Sequence, residues 1–155
     1  MARRPVPAAT LLGSPDDVEA QFYEALQRGD IDKLMAVWAD DDEVVCVHPG
    51  GGRAIRPVAI RATIEAVFVN GGVPVSPEQV HRLQHMGTAV HHRADRIDVV
   101  NEQGRQTAWV LATNVYVKTA QGWRLAAHHA SPGAPKAPPV LGADRPGTAP
   151  GTTLH

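Results

Sequence analysis

The chain has 155 residues, of which 43% are hydrophobic and 20% are charged, and its formal net charge is −1. These values are typical of one globular domain and exclude a collagen-like or globally disordered chain. The charge lacks the basic excess of a nucleic-acid-binding protein, and no apolar run reaches the ~18 residues of a membrane helix. A single cysteine, Cys46, excludes an internal disulfide framework and suits a reducing compartment. We therefore expect a cytoplasmic protein without nucleic-acid or membrane partners.

The two ends of the sequence differ in composition from its middle. Residues 133–155 are rich in proline and glycine and have almost nothing apolar to bury. Such a segment cannot offset the entropy cost of its own ordering. Residues 1–13 form a short stretch broken by prolines. We expect a flexible leader over 1–13, a folded domain over 14–132 and an extended Pro/Gly-rich tail over 133–155.

Three helices are predicted in the first half of the domain. The first begins after Ser14, a capping residue followed by proline and two acids, and ends at Gly29. Asp30 caps a short second helix, and a third helix begins near Pro57. Between the second and third helices, the β-branched run over 43–48 predicts a strand.

From about residue 79 the apolar pattern changes from the helical period to the alternation of strands. Four further strands are predicted over 79–92, 95–101, 106–119 and 123–131. Turn residues separate them, and short turns join antiparallel neighbours. This order of elements predicts an α+β domain, with three N-terminal helices packed on one face of a curved, mainly antiparallel sheet.

Several short motifs follow one another along the chain. They are residues 22–30 of the first helix, Trp38, the loop Val47-His48-Pro49-Gly50-Gly51, Ala54-Ile55, Gly122-Trp123-Arg124-Leu125 and His128-His129-Ala130-Ser131. In this order they resemble the NTF2-like superfamily, and in particular its SnoaL-like bacterial members. The resemblance spans residues 14–132. It implies a cone in which a bent sheet wraps the first helix around a pocket, and a homodimer formed through the outer sheet face.

Two histidines are the candidate catalytic residues. His48 ends a strand before a glycine-rich loop, and rigid strand ends often position functional side chains. Side chains alternate between the two faces of the last strand, so one of His128 and His129 faces the pocket. We favour His129, because its row is the more apolar one, although a bulge would reverse this assignment. His48 and His129 are therefore the predicted acid–base pair.

Five further residues are candidates for ligand binding: Trp38, Asp41, Asn114, Tyr116 and His128. Asp41 belongs to an acidic run that can turn one carboxylate toward His48 and orient its imidazole, or that forms a solvated turn instead. Asn114 and Tyr116 share one strand face and therefore point inward or outward together. For Trp38, packing in the core is the alternative role.

Neither a metal nor a cofactor is expected. His81, His85, His91 and His92 fall on predicted strands, and no His-Glu-x-x-His motif accompanies them. A metal site would also need three ligands with a supporting shell of hydrogen bonds. The glycines at 50–52 match neither a P-loop nor a dinucleotide-binding fingerprint.

Two functions remain open at this stage. The resemblance implies a small-molecule-binding dimer whose apolar cone pocket takes a small apolar molecule. If that dimer is catalytic, a cofactor-free isomerase, cyclase or dehydratase using histidine acid–base chemistry is the most coherent reading. The alternative is a non-catalytic dimerisation or interaction module. An open cavity that holds His48 and a histidine of the last strand would favour the first function.

Overall fold

A computed structural model of the protein describes residues 12–142. Its elements, in chain order, are α1 (Pro15–Arg28), α2 (Ile31–Met35), β1 (Val45–Val47), β2 (Arg53–Ile55), α3 (Pro57–Val67), a 3₁₀ turn (Phe68–Asn70), β3 (Val75–Gln84), β4 (Thr88–Asn101), β5 (Gly104–Thr119) and β6 (Gly122–Pro132). None of the described helices is long and apolar enough to cross a membrane. Most of the predicted leader, and the tail beyond residue 142, lie outside the described residues.

The six strands form one sheet in the order β2-β1-β6-β5-β4-β3. Neighbouring strands are antiparallel except for β1 and β6, which run parallel. The predicted α+β class and the mainly antiparallel sheet are therefore confirmed. The three helices do not form one N-terminal group, because the β1–β2 hairpin separates α2 from α3.

Helix α1 begins and ends where the sequence predicts. The Ser14 side chain accepts a hydrogen bond from the backbone N–H of Asp17 at 3.1 Å. Gly29 ends the helix with a φ of 70°, a conformation that favours glycine. One face of α1 is buried, including Val18 and Phe22, and the helix contacts β3 and β6. This packing makes α1 one wall of the protein interior.

The predicted break over residues 93–95 is wrong, because β4 runs through it from Thr88 to Asn101. The chain turns earlier instead, between the end of β3 and the start of β4. Arg93 and Asp95 resemble turn residues in sequence, yet they are only 3% and 2% exposed. Their side chains pair with each other at 2.7 Å, so these charges are compensated inside the protein. Because the two charges are paired, both side chains can be buried on the inner face of β4.

Only part of the predicted tail is described. Residues 133–142 contain no helix or strand. The backbone N–H of Gly133 donates to the carbonyl of Trp109 at 2.7 Å, which ties the start of this segment to β5. Farther on, Val140 and Leu141 are exposed. The boundary at residue 132 and the separate tail remain predictions.

Candidate functional site

A cavity of about 280 Å³ lies between α1, α3 and the inner face of the sheet. Most of its lining is aliphatic or aromatic, and its polar members are His48, His128, Asp95 and Tyr23. The volume lies near the lower end of the range for small-molecule sites. An apolar space with a few convergent polar groups is also the geometry that such sites share.

His48 reaches the cavity from the loop after β1. Its carbonyl accepts a hydrogen bond from the N–H of Gly51 at 2.9 Å, which closes a tight turn. Pro49 and Gly50 form the centre of this turn, and Gly50 has a φ of 71°. Proline followed by glycine suits a type II turn, which explains this part of the motif. Burial lowers the pKa of His48, so its ring is largely neutral near pH 7.

His128, and not His129, faces the cavity from β6. The pairing of β6 with β5 skips Ala126, which is therefore the extra residue of a β-bulge. The bulge shifts the alternation of side chains by one position. As a result His128 is only 6% exposed and lines the cavity, whereas His129 is exposed. The predicted inward orientation of His129 is wrong for this reason.

The ring of His128 is held between α1 and β5. Its centroid lies 5.1 Å from that of Phe22, and its Nδ1 lies 2.6 Å from Oδ1 of Asn114. Burial, with smaller contributions from His48, Arg93 and His129, lowers the pKa of His128 to about 3. The ring centroids of His48 and His128 are 6.4 Å apart. His48 therefore shares the cavity with one histidine of the last strand, His128.

A charged cluster lies beside the cavity, and its members are Glu19, His91, Arg93, Asp95 and Tyr116. Glu19 Oε1 lies 3.0 Å from Nη1 of Arg93, and its Oε2 lies 2.8 Å from both His91 Nδ1 and the Tyr116 hydroxyl. Arg93 also pairs with Asp95. All five residues are buried. The carboxylates and the guanidinium thus satisfy one another without solvent.

Tyr23 and Asn114 connect the charged cluster to His128. The Arg93 guanidinium stacks on the Tyr23 ring, with Cζ 3.4 Å from the ring centroid. Asn114 Nδ2 donates to the Tyr23 hydroxyl at 3.0 Å, while its Oδ1 contacts His128. Burial raises the pKa values of both Tyr23 and Asp95. The Tyr23 hydroxyl therefore keeps its proton near neutral pH.

The other predicted ligand-binding residues do not line the cavity. Asn114 and Tyr116 point inward together, as expected, but they lie behind the lining. Trp38 is buried in the core, where its ring centroid lies 6.4 Å from that of Phe22. Asp41 is exposed, and its Oδ1 accepts a backbone hydrogen bond from two residues farther on at 2.8 Å. The acidic run therefore forms the solvated turn, the second of the two alternatives given for it, and Asp41 does not line the cavity as a ligand-binding residue.

One group in the described part of the chain brings three possible metal ligands together: Asp16, Glu19 and His91. Glu19 already accepts hydrogen bonds within the charged cluster, and the Arg93 guanidinium lies 3.0 Å from its carboxylate. A cation would displace these bonds and meet a positive charge. We therefore assign no metal to this group.

Sequence reasoning missed several polar residues around the cavity. They are Glu19, Tyr23, Thr63, Arg93 and Asp95. The strand β4 carried a usable signal, because residues 89, 91, 93 and 95 are buried at every second position. That pattern was obscured because charged residues in its middle were interpreted as a turn.

The α+β fold, with helices on a six-stranded sheet, is shared with a solved protein of the NTF2-like family and places this chain in the NTF2-like class. Within that class, the SnoaL-like domain family matches residues 16–135. The chain therefore belongs to the SnoaL-like family, as its motifs indicate. No curated protein matches the sequence.

Solved structures with this fold carry different assignments. A protein from Thiobacillus denitrificans, provisionally assigned as a calcium/calmodulin-dependent protein kinase type II association domain, is 31% identical with a TM-score of 0.73; 84% of this chain and 100% of that chain are covered. A provisionally assigned NTF2-like dehydratase from Streptomyces avermitilis is 27% identical with a TM-score of 0.66, covering 76% and 92% of the two chains. A ketosteroid isomerase-like protein from Erwinia carotovora atroseptica is 18% identical with a TM-score of 0.63, covering 83% and 98%. Membership of the family thus does not choose between catalysis and assembly.

Proposed function

We propose that the protein binds a small apolar molecule in the cavity between α1 and the sheet. The observation that carries this proposal is the pair of imidazoles, His48 and His128, in a lining that is otherwise mostly apolar. An empty apolar cavity costs stability, and so does the burial of polar rings. A ligand that fills the cavity and forms hydrogen bonds with the two rings would offset both costs.

The same two histidines suit a cofactor-free isomerase, cyclase or dehydratase. A neutral imidazole takes a proton from an acidic position of the bound molecule and returns it at another atom. His48 is only partly buried and is the better candidate for this base. His128 has a pKa of about 3, which makes it a weak base and suits it to accept a hydrogen bond from the ligand.

A ligand screen by thermal shift tests the binding function. Any compound that stabilises the wild-type protein is measured again on His48→Leu and His128→Leu, which keep side-chain volume but remove the ring nitrogens. His129→Leu is the matched control, because this neighbour of His128 is exposed. We expect the two cavity variants to lose the stabilisation and the control to keep it. Equal stabilisation of all three variants would place the ligand elsewhere.

A second candidate function is a non-catalytic homo-oligomerisation module. The specific observation in its favour is the 31% identity with the provisionally assigned association domain over 84% of this chain. The outer sheet face also carries partly exposed apolar side chains, among them Trp109, Leu111 and Val115, which a second copy of the chain can cover. A homodimer formed through this face is compatible with both functions.

Light scattering coupled to gel filtration separates the two proposals when it is combined with the screen. A chain of 16.5 kDa that elutes as a defined multimer, with no ligand found, supports the module. A stable monomer contradicts the homodimer. Ligand binding that depends on His48 and His128 supports the small-molecule-binding function, regardless of the oligomeric state.

A further inference from the structure

We propose that Thr63 and Asn114 are positioning residues that hold the two cavity histidines in opposite neutral tautomers. His48 then carries its proton on Nε2 and His128 carries its proton on Nδ1. The cavity consequently presents two bare nitrogen acceptors and takes an uncharged ligand that donates hydrogen bonds. This inference rests on the proposed function, because it presumes that the cavity binds a small molecule.

The tautomer of His48 follows from the hydrogen bonds of Thr63. The Thr63 Oγ1 lies 2.8 Å from the carbonyl oxygen of Ile60. Two oxygens at this distance need a hydrogen between them, and only the threonine hydroxyl has one. The same Oγ1 lies 3.1 Å from Nε2 of His48, and its only hydrogen is already used. Nε2 must therefore donate, with the Cys46 sulfur at 3.7 Å as a second, weak acceptor. This leaves Nδ1 of His48 without a proton in the neutral ring.

The tautomer of His128 follows from the two distances at the Asn114 amide. One amide atom lies 2.6 Å from His128 Nδ1, and the other lies 3.0 Å from the Tyr23 hydroxyl. The shorter distance is too short for an amide nitrogen beside an imidazole nitrogen, so the oxygen faces His128. That oxygen can only accept, so Nδ1 donates to it. Nε2 of His128 is then the bare nitrogen.

Neither bare nitrogen makes a hydrogen bond with another described residue. Neither is sealed inside the protein, because the buried side-chain nitrogens and oxygens without a partner in the described range are Trp38 Nε1 and Arg96 Nε. Both rings line the cavity. A molecule in the cavity can therefore supply the hydrogen-bond donor that each of these two nitrogens lacks.

The other polar residues of the lining indicate which charge a ligand in the cavity can carry. The Asp95 carboxylate lines the cavity and also only accepts hydrogen bonds when it is ionised. The cation nearest to it, Arg93, is already engaged by Asp95 and Glu19. An anionic ligand would meet no free cation there, whereas hydroxyl or N–H groups would meet acceptors. Tyr23 supplies one hydroxyl, so acceptors outnumber donors in the lining.

Long-range ¹H–¹⁵N NMR of the imidazoles at pH 7 tests the tautomers without any ligand. We expect a protonated Nε2 in His48 and a protonated Nδ1 in His128. Thr63→Val removes the acceptor and should let His48 populate both tautomers, while His128 is unchanged. Thr63→Ser should restore the wild-type signal of His48. The same tautomer in both rings, or a His48 signal unaffected by Thr63→Val, would overturn the assignment.

Three probes of one shape test the ligand class by titration: 2-naphthol, 2-methoxynaphthalene and 2-naphthoate. We expect 2-naphthol to bind about tenfold more tightly than the methyl ether, a difference of the size that one hydrogen bond gives. The naphthoate anion should bind most weakly. Thr63→Val should reduce the preference for 2-naphthol over its ether, and Thr63→Ser should restore it.

The outcomes separate this inference from the proposed function. Equal or tighter binding of the ether or the anion overturns the donor preference, but it leaves the cavity a small-molecule site. Failure of all three probes to bind counts against both the inference and the proposed function. Tighter binding of 2-naphthol, lost when the His48 tautomer is no longer fixed, supports both.

Discussion

The interior contains two neighbouring polar regions that differ in how their groups are satisfied. In the charged cluster, the Glu19 carboxylate accepts hydrogen bonds from three different side chains. In the cavity, His48 and His128 each contact a protein oxygen through one nitrogen and leave the other without a partner among the described residues. Asp95 belongs to both regions, because it pairs with Arg93 and lines the cavity.

The difference separates structure from function. A buried charge network whose members satisfy one another holds α1 to β4 and β5, and it needs nothing from outside. Neutral rings with a free nitrogen contribute less to the fold and remain available to a ligand. Substitutions in the charged cluster should therefore act mainly on stability, and substitutions at the cavity histidines mainly on binding.

The largest effect is expected from Arg93→Met. This change leaves the Glu19 and Asp95 carboxylates buried beside each other without their shared cation. Breaking a buried ion pair in this way costs roughly 3–5 kcal/mol. Urea unfolding measures the loss, with Arg82→Met as the control, because the pair of Arg82 with Asp16 is exposed and its removal should cost at most about 1 kcal/mol. Equal losses in the two variants would contradict the view that the cluster is a structural network.

The pH dependence of stability should reveal His128. Its pKa in the folded protein is about 3, below the ordinary value of 6.5, so the unfolded chain binds the proton first. The free energy of unfolding should therefore fall as the pH drops below about 6.5 and continue to fall toward 3. The slope from this residue is at most about 1.4 kcal/mol per pH unit. The lowered pKa of His48 acts in the same direction.

Urea unfolding of His128→Gln at pH 7, 6 and 5 isolates that contribution. The variant should lose less stability than the wild type over this range, while His129→Gln should follow the wild type because His129 is exposed. A wild-type slope retained by His128→Gln would mean that other groups cause the acid sensitivity.

A smaller effect is expected from Tyr116→Phe. The Tyr116 hydroxyl donates to Glu19 at 2.8 Å inside the charged cluster, and its loss leaves the carboxylate with one donor fewer. The expected cost is about 1–3 kcal/mol of unfolding free energy. Binding of a cavity ligand should be unchanged, because Tyr116 does not line the cavity. A Tyr116→Phe variant that is as stable as the wild type but does not bind the ligand would contradict the assignment of the charged cluster to stability and of the cavity to binding.

The smallest effect concerns Cys46, whose Sγ lies 3.7 Å from Nε2 of His48. The residue is 0% exposed, and burial raises its pKa to about 12. The thiol should therefore stay protonated and unreactive. Iodoacetamide at pH 8 should not label the native protein, but it should label the denatured chain once. Rapid labelling of the native protein would show a reactive thiol next to His48 and contradict the description of Cys46 as a buried, inert side chain.

The local signals of the sequence were sufficient for several elements and for one site residue. Ser14 and Gly29 bound α1 because capping depends on a few adjacent residues. His48 was found because proline and glycine after it define a turn at the end of a strand. The strand β2 was missed, since three residues are too few to show an alternating pattern.

The polar groups of the interior depend on distant contacts. Arg93 and Asp95 were interpreted as a turn because, in sequence alone, a buried charge has no visible partner. Glu19 on α1 is that partner, and it lies 74 positions before Arg93 along the chain. Only the packing of α1 on β4 brings these charges close enough to compensate one another.

The sequence by itself determined the class of fold, the extent of α1 and the place of His48, because caps, turns and periodicity act over a few residues. The tertiary structure decided which histidine of the last strand faces inward, because the extra residue in β6 is defined only by its pairing with β5. It also decided the tautomers of the cavity histidines. Thr63 and Asn114 lie 15 and 14 residues from the histidines that they contact, and hydrogen bonds across such separations exist only once helix and strands have packed.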